Sequence, residues 1–305
     1  MEGQFDTVKD KFNSRWKSYT KGYDDFTSKM KDKDHIVKTD IAISQVNRAL
    51  LSDEHIKKSY PKGSHIIEIG CGNGFNPCYL YQEGYKVTAF DVSSNAIEQA
   101  RELAKNLNVP KDLFHIADHS FFETIEGDSV DAVIALGVMR YLETPIRDQI
   151  YRQVYRILKP GGCFLVSNDN QLFEIFAMND GTIRFWSEVI RSFSDTKKLL
   201  PNITIEDALK KEIRLPQRQY AAHSVSQHVE RHMENPLVFD RIAESYGYKL
   251  ENMFYPDSHL LPPFLEKIAD NEALETMKAQ TCLSRAEGDW RAMFMDCEFV
   301  SVLKK

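Results

Sequence analysis

Three glycines and one aspartate have the residue types and the spacing of a binding site for a nucleoside. Residues 65–77 read HIIEIGCGNGFNP, so an apolar run ends in Gly70, Gly72 and Gly74. Glycine adopts positive φ and lets another molecule approach the backbone, and a helix that begins after the loop offers unpaired N–H donors to an anionic group. Asp91 follows 21 positions after Gly70, at the end of the next apolar run, where a carboxylate accepts the hydroxyls of a ribose. A purely structural turn is the alternative, and a nicotinamide dinucleotide would also suit this pattern.

These residues require a sheet that brings the ends of neighbouring strands together. Short apolar runs alternate with helical stretches, and the runs lie at 66–69, 87–90, 113–117, 130–136 and 163–167. They are too continuous for strands with one face in water, so they predict buried parallel strands. Asn95 with Glu98, and Thr144 with Pro145, predict the starts of two intervening helices, the second of which ends at Lys159. The alternation predicts a doubly wound α/β sheet with right-handed crossovers.

Helical patterns flank this core on both sides. Apolar residues at helical spacing predict N-terminal helices and, after residue 168, an inserted helical cap. These patterns lie at 5–16, 36–51, 184–193, 205–213 and 225–246. Runs of β-rich composition at 248–254 and 292–303 predict a closing pair of strands, with a helix that begins at Pro262 between them. The predicted parts are an N-terminal helical lid at 1–60, a ligand-binding core at 61–168, a helical cap insertion at 169–246, and C-terminal strands that complete the sheet at 247–305.

The composition disfavours several classes of function. With 305 residues, of which 42% are hydrophobic, the chain is long enough to bury a core. Its net charge of −6 argues against a nucleic-acid partner, because such proteins usually have a basic surplus. The five cysteines form no C-x-x-C pair, which favours a reducing, cytoplasmic location over a disulfide framework. The sequence has neither an apolar N-terminal region nor a run of eighteen apolar residues, so we expect no signal peptide and no membrane span.

Five motifs follow one another along the core. They are EIGCGNG at 68–74, FDVS at 90–93, IAD at 116–118, SVDAVIALGVMRYLE at 129–143 and ILKPGG at 157–162. In type and order they resemble the motifs of the class I S-adenosylmethionine-dependent methyltransferases. The resemblance implies a seven-stranded Rossmann-like methyltransferase sheet and S-adenosylmethionine as the cofactor. It says little about the acceptor of the methyl group.

The resemblance also implies which residues hold the cofactor. By it, Asp91 binds the ribose, Asp118 binds the adenine amine with His119 near the ring, and Glu68 either orients the loop or reaches the cofactor's amino group. The segment RWKSYTKGYDDF at 15–26 is similar to an N-terminal segment of the family, which implies that Tyr19 closes over the methionine part. The alternatives are turn capping for Asp118 and His119, and packing on the sheet for Tyr19. The implied set is Tyr19, Glu68, Gly70, Cys71, Gly72, Gly74, Asp91, Val92, Ala117, Asp118, His119 and Leu136.

The chemistry that the resemblance implies is an in-line displacement at the cofactor's methyl group, for which the protein mainly has to align two atoms. A hydroxyl acceptor would benefit from a general base, whereas an amine with a free lone pair needs only positioning. Tyr141, His223 and His259 are the candidates for a base, and a structural role is the alternative for each. The loop after the fourth strand reads LGVMRY and lacks the Asn/Asp-Pro-Pro-aromatic run of nucleic-acid amino-methyltransferases, which again disfavours DNA or RNA bases.

No metal site is predicted. His228 and His232 are four residues apart, but they lie among polar residues on what reads as a solvated helix face. NDN at 168–170 resembles the Asp-Asn pair of metal-dependent catechol-type methyltransferases, yet residues 135–137 contain no carboxylate for the other acidic ligand. We therefore expect an O or N atom of a small metabolite or glycan as the acceptor. The alternative is a sensor or partner subunit that binds the cofactor without transferring its methyl group. The candidate arginines for contact with an acidic acceptor are Arg140, Arg184, Arg214 and Arg218.

Overall fold

The computed structural model of the chain describes residues 23, 26, 27, 30, 43–193, 202–216, 231–256, 259–281 and 290–305. The predicted helix at 5–16 lies outside these residues. Eight described strands form one sheet. They are β1 (His65–Ile69), β2 (Lys86–Asp91), β3 (Phe114–Ile116), β4 (Val130–Ala135), β5 (Leu158–Asn170), β6 (Met233–Glu234), β7 (Lys249–Phe254) and β8 (Glu298–Lys304).

The strand order is β3-β2-β1-β4-β5-β8-β7, and β6 pairs with the end of β5. The first five strands pair in parallel, while β8 is antiparallel to both β5 and β7. The order reverses between β1 and β4, so the carboxyl ends of β1, β2 and β4 meet at one edge, where ligands bind in such sheets. The predicted doubly wound α/β sheet is confirmed, with β6 as an eighth strand beside the seven.

Helices connect and flank these strands. Those among the described residues are α1 (Ile43–Ser59), α2 (Phe75–Gln82), α3 (Ser94–Asn106), α4 (Thr144–Ile157), α5 (Phe173–Ala177), α6 (Asp180–Phe193), α7 (Ile205–Glu212), α8 (Phe239–Ser245), α9 (Pro263–Glu266), α10 (Asn271–Thr281) and α11 (Ala292–Met295). None of the described helices has both the length and the apolar composition that crossing a membrane requires.

Both faces of the sheet are covered, as the continuous apolar strands predict. Side chains alternate between the faces along a strand, so Ile67 packs in the cluster with α4 and α8, whereas Ile66 packs in the cluster with α1 and α2. A third cluster joins α2 and α3 to the described N-terminal residues, including Phe26, whose ring lies 5.7 Å from that of Phe75. Each such side chain stabilises the fold by about 1.5–3 kcal/mol when it is fully buried.

Two predicted boundaries in the second half of the chain are wrong. The helix predicted at 225–246 is interrupted, because β6 occupies 233–234 and α8 begins only at Phe239. The last pair of β4 with β5 is Ala135 with Val166, so β5 extends beyond β4 and its free edge pairs with β6. The strand predicted from residue 292 begins instead at Glu298, after α11.

The predicted helix ends also differ in detail. Ser93 is the N-cap of α3, and its hydroxyl accepts a hydrogen bond of 3.2 Å from the Ala96 N–H, so the capping box predicted at Asn95 is wrong. In α4 the cap position is Glu143 and Pro145 lies in the first turn. This helix ends at Ile157, and β5 begins directly after it, so the strand includes the predicted PGG turn.

Candidate functional site

The loop between β1 and α2 has the backbone conformation that its glycines predict. Gly70, Gly72 and Gly74 have φ of 65°, 54° and 79°. A Cβ on Gly74 would lie 2.7 Å from the Ala100 Cβ and 2.9 Å from the Phe114 ring, so only glycine fits against α3 and β3. The N–H groups of Gly70 and Cys71 donate to the Phe90 carbonyl at 2.8 and 3.2 Å. These bonds hold the loop against β2.

The Asp91 carboxylate lies against this loop, as the spacing predicts. Its Oδ2 accepts a 3.0 Å hydrogen bond from the Gly72 N–H, and its Oδ1 accepts one of 2.8 Å from the Ser93 N–H. Burial raises the pKa of Asp91, and these hydrogen bonds oppose the shift. A carboxylate oxygen has two lone-pair sites, so each oxygen can accept a further hydrogen bond from a ligand hydroxyl.

Glu68 is buried at the end of β1. Its Oε2 accepts a 2.9 Å hydrogen bond from the Asn76 side chain, in the first turn of α2. Burial raises the pKa of Glu68 to about 8, and the negative charge of Asp91 adds to the shift while the Asn76 hydrogen bond opposes it. Of the two roles expected for Glu68, the geometry fits orientation of the loop, because Glu68 connects β1 to the start of α2.

The residues expected around the adenine lie at the ends of β2 and β3. The Ala117 N–H donates to the Asp91 carbonyl at 3.0 Å, which joins the two strand ends beside the half-buried Val92. Asp118 is the N-cap of the 3₁₀ helix His119–Thr124 and accepts a 2.8 Å hydrogen bond from the Ser120 N–H. Burial would raise the pKa of Asp118, but the Ser120 hydrogen bonds lower it below its ordinary value. The capping role considered for Asp118 is therefore present in the structure.

The loop after β4 lies against the glycine loop. A Cβ on Gly70 would overlap the Val138 side chain, and the Gly137 N–H donates to the Ser167 hydroxyl of β5 at 2.7 Å. Leu136 is half-buried and packs on the cluster that contains α1 and α2. The ends of β1, β2 and β4 are thus in contact with one another.

A buried ion-pair network joins the ends of β5 and β8 to α1 and to the loop after β4. Its members alternate in charge and are Arg48, Glu298, Arg140, Asp169 and Arg231. Glu298 pairs with Arg48 and Arg140, while Asp169 pairs with Arg140, at 2.6 Å, and with Arg231. Burial would raise the pKa of Glu298, but the two arginines hold it below its ordinary value. Removing one member of such a network leaves a buried charge uncompensated.

The sequence reasoning missed this network. Arg140 is one of the four arginines expected to meet an acidic acceptor, but it is buried and holds two carboxylates of the protein itself. Arg184 and Arg214 are exposed, and Arg218 lies outside the described residues. A usable signal was available, because Asp169 and Glu298 are carboxylates placed at the ends of apolar strands, where a buried partner of opposite charge is required.

The side chains compared with metal ligands are engaged by the protein itself. The Asp169 carboxylate holds two guanidinium groups, and the Asn170 amide donates to the Met293 and Asp296 carbonyls at 2.7 and 2.8 Å. His232 precedes β6 instead of lying on a helix, and its ring nitrogen is 3.0 Å from Glu234. Within the described ranges, no group of three or more potential ligands is close enough to hold a metal ion.

The candidate bases have different surroundings. Tyr141 ends the 3₁₀ helix Met139–Tyr141 after β4 and is half-buried. His259 Nδ1 lies 2.8 Å from Glu266 Oε2, and its ring lies 5.1 Å from that of Phe173. His223 and Tyr19, like His228, fall outside the residues that the structure describes.

A cavity of about 180 Å³ lies beyond the carboxyl end of β5. Asp169 and Arg231 of the ion-pair network reach its wall, together with Glu174 and Lys267. Apolar side chains from α5, α9 and β6 line the remainder, among them Phe173, Phe264 and Met233. The Arg140–Asp169 pair connects this cavity to the loop after β4, and therefore to the glycine loop.

Comparison with known proteins agrees with this geometry. A family model described as a methyltransferase domain matches residues 66–162. The fold is similar to the solved structure of magnesium protoporphyrin IX methyltransferase from Synechocystis PCC 6803 with bound S-adenosylhomocysteine. The TM-score is 0.51 at 12% identity, and the alignment covers 99% of this chain and 100% of that one. At this identity the likeness concerns the fold alone.

Two curated relatives match in sequence. An S-adenosyl-L-methionine-dependent Diels-Alderase from Talaromyces variabilis is 35% identical over 106 residues, which cover 34% of this chain and 36% of that protein. A sarcosine/dimethylglycine N-methyltransferase from Halorhodospira halochloris is 24% identical over 215 residues, or 63% of this chain and 74% of that enzyme. The chain thus spans little more than a third of the Talaromyces relative.

The chain thus contains a segment, from β1 to the PGG turn of β5, that matches a methyltransferase domain. Its sheet order, glycine loop and Asp91 carboxylate have the arrangement of the class I S-adenosylmethionine-dependent methyltransferases, whose cofactor is S-adenosylmethionine.

Proposed function

We propose that the chain is an S-adenosylmethionine-dependent methyltransferase that moves a methyl group to an O or N atom of a small metabolite or carbohydrate. The observation that carries the proposal is the hydrogen bond between the Gly72 N–H and the Asp91 carboxylate, which joins the glycine loop to the end of β2. This juxtaposition suits an adenosine-bearing ligand, because the ribose can then contact both the carboxylate and a backbone without side chains.

The residues present fit that cofactor. The Asp91 carboxylate accepts hydrogen bonds from the Gly72 and Ser93 N–H groups, and a carboxylate has about four lone-pair sites, so it can also accept a ribose hydroxyl. Positive φ and the close contacts that a Cβ would make restrict Gly70 and Gly74 to glycine, and this fixes the path of the loop backbone. Asp118 and Val92, at the ends of neighbouring strands, would hold the adenine.

Most of the catalytic work assigned to this chain is alignment. When bound, S-adenosylmethionine supplies an electrophilic methyl group on a sulfonium. The loop between β1 and α2 and the Asp91 carboxylate fix the position of that methyl group, and the walls beyond β4 and β5 fix the acceptor atom. Correct orientation of two reactants can contribute about 7–11 kcal/mol to the barrier reduction, so no covalent nucleophile is required.

The cofactor part of the proposal is tested by calorimetry with S-adenosylhomocysteine. We expect the wild-type protein to bind it, and Asp91→Ala to weaken binding by about 10- to 100-fold, because a hydrogen bond to a charged group contributes about 1.5–3 kcal/mol. Asp112→Ala, at an exposed aspartate outside the site, is the matched control and should bind as the wild type does. No heat of binding with folded wild-type protein would refute the proposal.

In a second candidate function, the chain binds the cofactor but does not transfer its methyl group. This function is favoured by the Talaromyces relative, whose name couples dependence on S-adenosylmethionine to a Diels-Alder reaction. Incubation with methyl-labelled S-adenosylmethionine and fractionated small-molecule and glycan extracts separates the two. Label in an acceptor fraction supports methyl transfer, whereas cofactor binding without label in any fraction supports the second candidate.

A further inference from the structure

The cavity beyond β5 has an apolar body and a charged wall. Phe173, Phe264 and Met233 supply apolar surface, whereas Arg231 and Asp169 lie on the side that faces the ion-pair network. Pockets for small molecules commonly combine a mainly apolar lining with a few fixed polar groups that determine orientation. The polar groups therefore determine which ligands this cavity selects.

Positive charge exceeds negative charge in the ion-pair network. Three guanidinium groups share two carboxylates, since Glu298 is divided between Arg48 and Arg140, and Asp169 between Arg140 and Arg231. The terminal arginines are consequently only partly neutralised. Arg231 is the terminal member on the cavity wall, and its side chain is 23% exposed, compared with 10% for Arg140.

The other charged groups of the wall do not remove this surplus. Lys267 contributes one positive charge and the buried Glu174 one negative charge. With Asp169 and Arg231 these groups sum to zero on the wall itself, so the net charge of +1 lies in the network behind it, on the side of Arg140 and Arg48. An anionic ligand group would be attracted to this arginine side of the wall, where the low exposure strengthens the interaction.

Arg231 is also held in place. The backbone of the two following residues makes contacts that fix its position. The His232 N–H donates to the Arg140 carbonyl at 2.8 Å, and Met233 pairs with Asp169 in the sheet. A guanidinium group has five N–H donors in a fixed plane, and one ion pair to Asp169 does not use all of them. Such a preorganised group loses little conformational entropy on binding an anion.

We infer that this cavity binds the acceptor and that Arg231 recognises an anionic oxygen group, a carboxylate or a phosphate, on it. The inference rests on the proposed function, and it names the substrate class as small organic acids with an apolar body. The anionic group lies against Arg231 and the apolar body lies between Phe173 and Phe264.

The test measures the affinity of three probes of one shape in the presence of S-adenosylhomocysteine. Benzoate and phenyl phosphate carry an anionic group, and benzamide is the neutral counterpart of benzoate. By ligand-observed NMR titration, we expect the wild type to bind benzoate at least about tenfold more tightly than benzamide, and Arg231→Gln to abolish this preference. The ratio of phenyl phosphate to benzoate affinity distinguishes a phosphate from a carboxylate acceptor.

Two further variants make the result decisive. Arg191→Gln removes an arginine that lies 3.9 Å from Glu206 on the surface, and it should leave the benzoate preference unchanged. Arg231→Lys keeps the positive charge but lacks the planar set of guanidinium donors, so the ratio of benzoate to benzamide affinity should fall but remain above one. The lysine variant also decides the matter if the glutamine variant does not fold.

The failure of this inference differs from that of the proposed function. Equal affinity for benzoate and benzamide in the wild type, no binding of any probe, or a preference that survives in Arg231→Gln would overturn the inference while S-adenosylhomocysteine still binds. Loss of S-adenosylhomocysteine binding by the wild type would instead refute the proposed function.

Discussion

The protonation of Glu68 makes the stability of the domain depend on pH in an unusual direction. In the folded protein the pKa of this buried carboxyl is about 8, compared with an ordinary value of 4.5. Between these two values the folded state binds a proton that the unfolded state has released. Stability therefore falls as pH rises through this interval, by about 1.4 kcal/mol per pH unit and by about 5 kcal/mol in total.

Glu68→Gln removes this dependence with almost no change in shape. The amide oxygen can still accept the Asn76 hydrogen bond, and the side chain stays neutral at every pH. At pH 5 the variant and the wild type should have similar free energies of unfolding. At pH 7 the variant should gain about 3 kcal/mol relative to the wild type, because the wild-type carboxyl is then held protonated against its ionisation in the unfolded state.

The measurement is urea unfolding of both proteins at several pH values between 5 and 8. The difference between the two curves isolates Glu68, since the other titrating groups are common to both. Glu126→Gln, at an exposed glutamate, should run parallel to the wild type throughout. If the difference between Glu68→Gln and wild type does not change with pH, Glu68 is already ionised in the folded state and the reasoning is wrong.

Two further predictions concern packing and charge. Gly74→Ala should destabilise the fold by about 2–5 kcal/mol, because it combines the cost of positive φ with the overlap of the new Cβ with α3 and β3. Gly63 also has positive φ, 88°, but nothing lies within 4 Å of a Cβ there. Gly63→Ala should therefore cost only about 1–2 kcal/mol in the same urea titration. Equal costs for the two would mean that the overlap is relieved. Glu298→Gln should cost about 3–5 kcal/mol, because it leaves buried arginines without a shared carboxylate, and a loss below about 1 kcal/mol would contradict the importance of that ion pair.

The core of the fold could be predicted because its signals are local. A buried parallel strand is apolar along its whole length, so β1, β2 and β4 are visible as runs of residues, and each ends at a recognisable motif. The loop with Gly70 and Gly74 and the carboxylate of Asp91 follow from the same runs, since the position of a residue at a strand end fixes its place at the sheet edge.

Local signals were less informative where several residues have the same propensity. Ser93, Ser94 and Asn95 are all good helix caps, and the path of the chain out of β2 decided for Ser93. Residues 233–234 read as part of a helix because their neighbours have helical spacing. They form β6 because β5 extends beyond β4 and leaves backbone donors and acceptors that require partners.

The sequence by itself therefore determined the alternation of strands and helices, the glycine loop and its aspartate. These depend on properties that each segment has alone: apolar length, turn chemistry and order along the chain. The tertiary structure alone decided that Arg48, Arg140 and Arg231 share the carboxylates of Asp169 and Glu298. Such pairs join residues far apart in the sequence, and no local pattern shows which buried charges will meet when the strand ends converge.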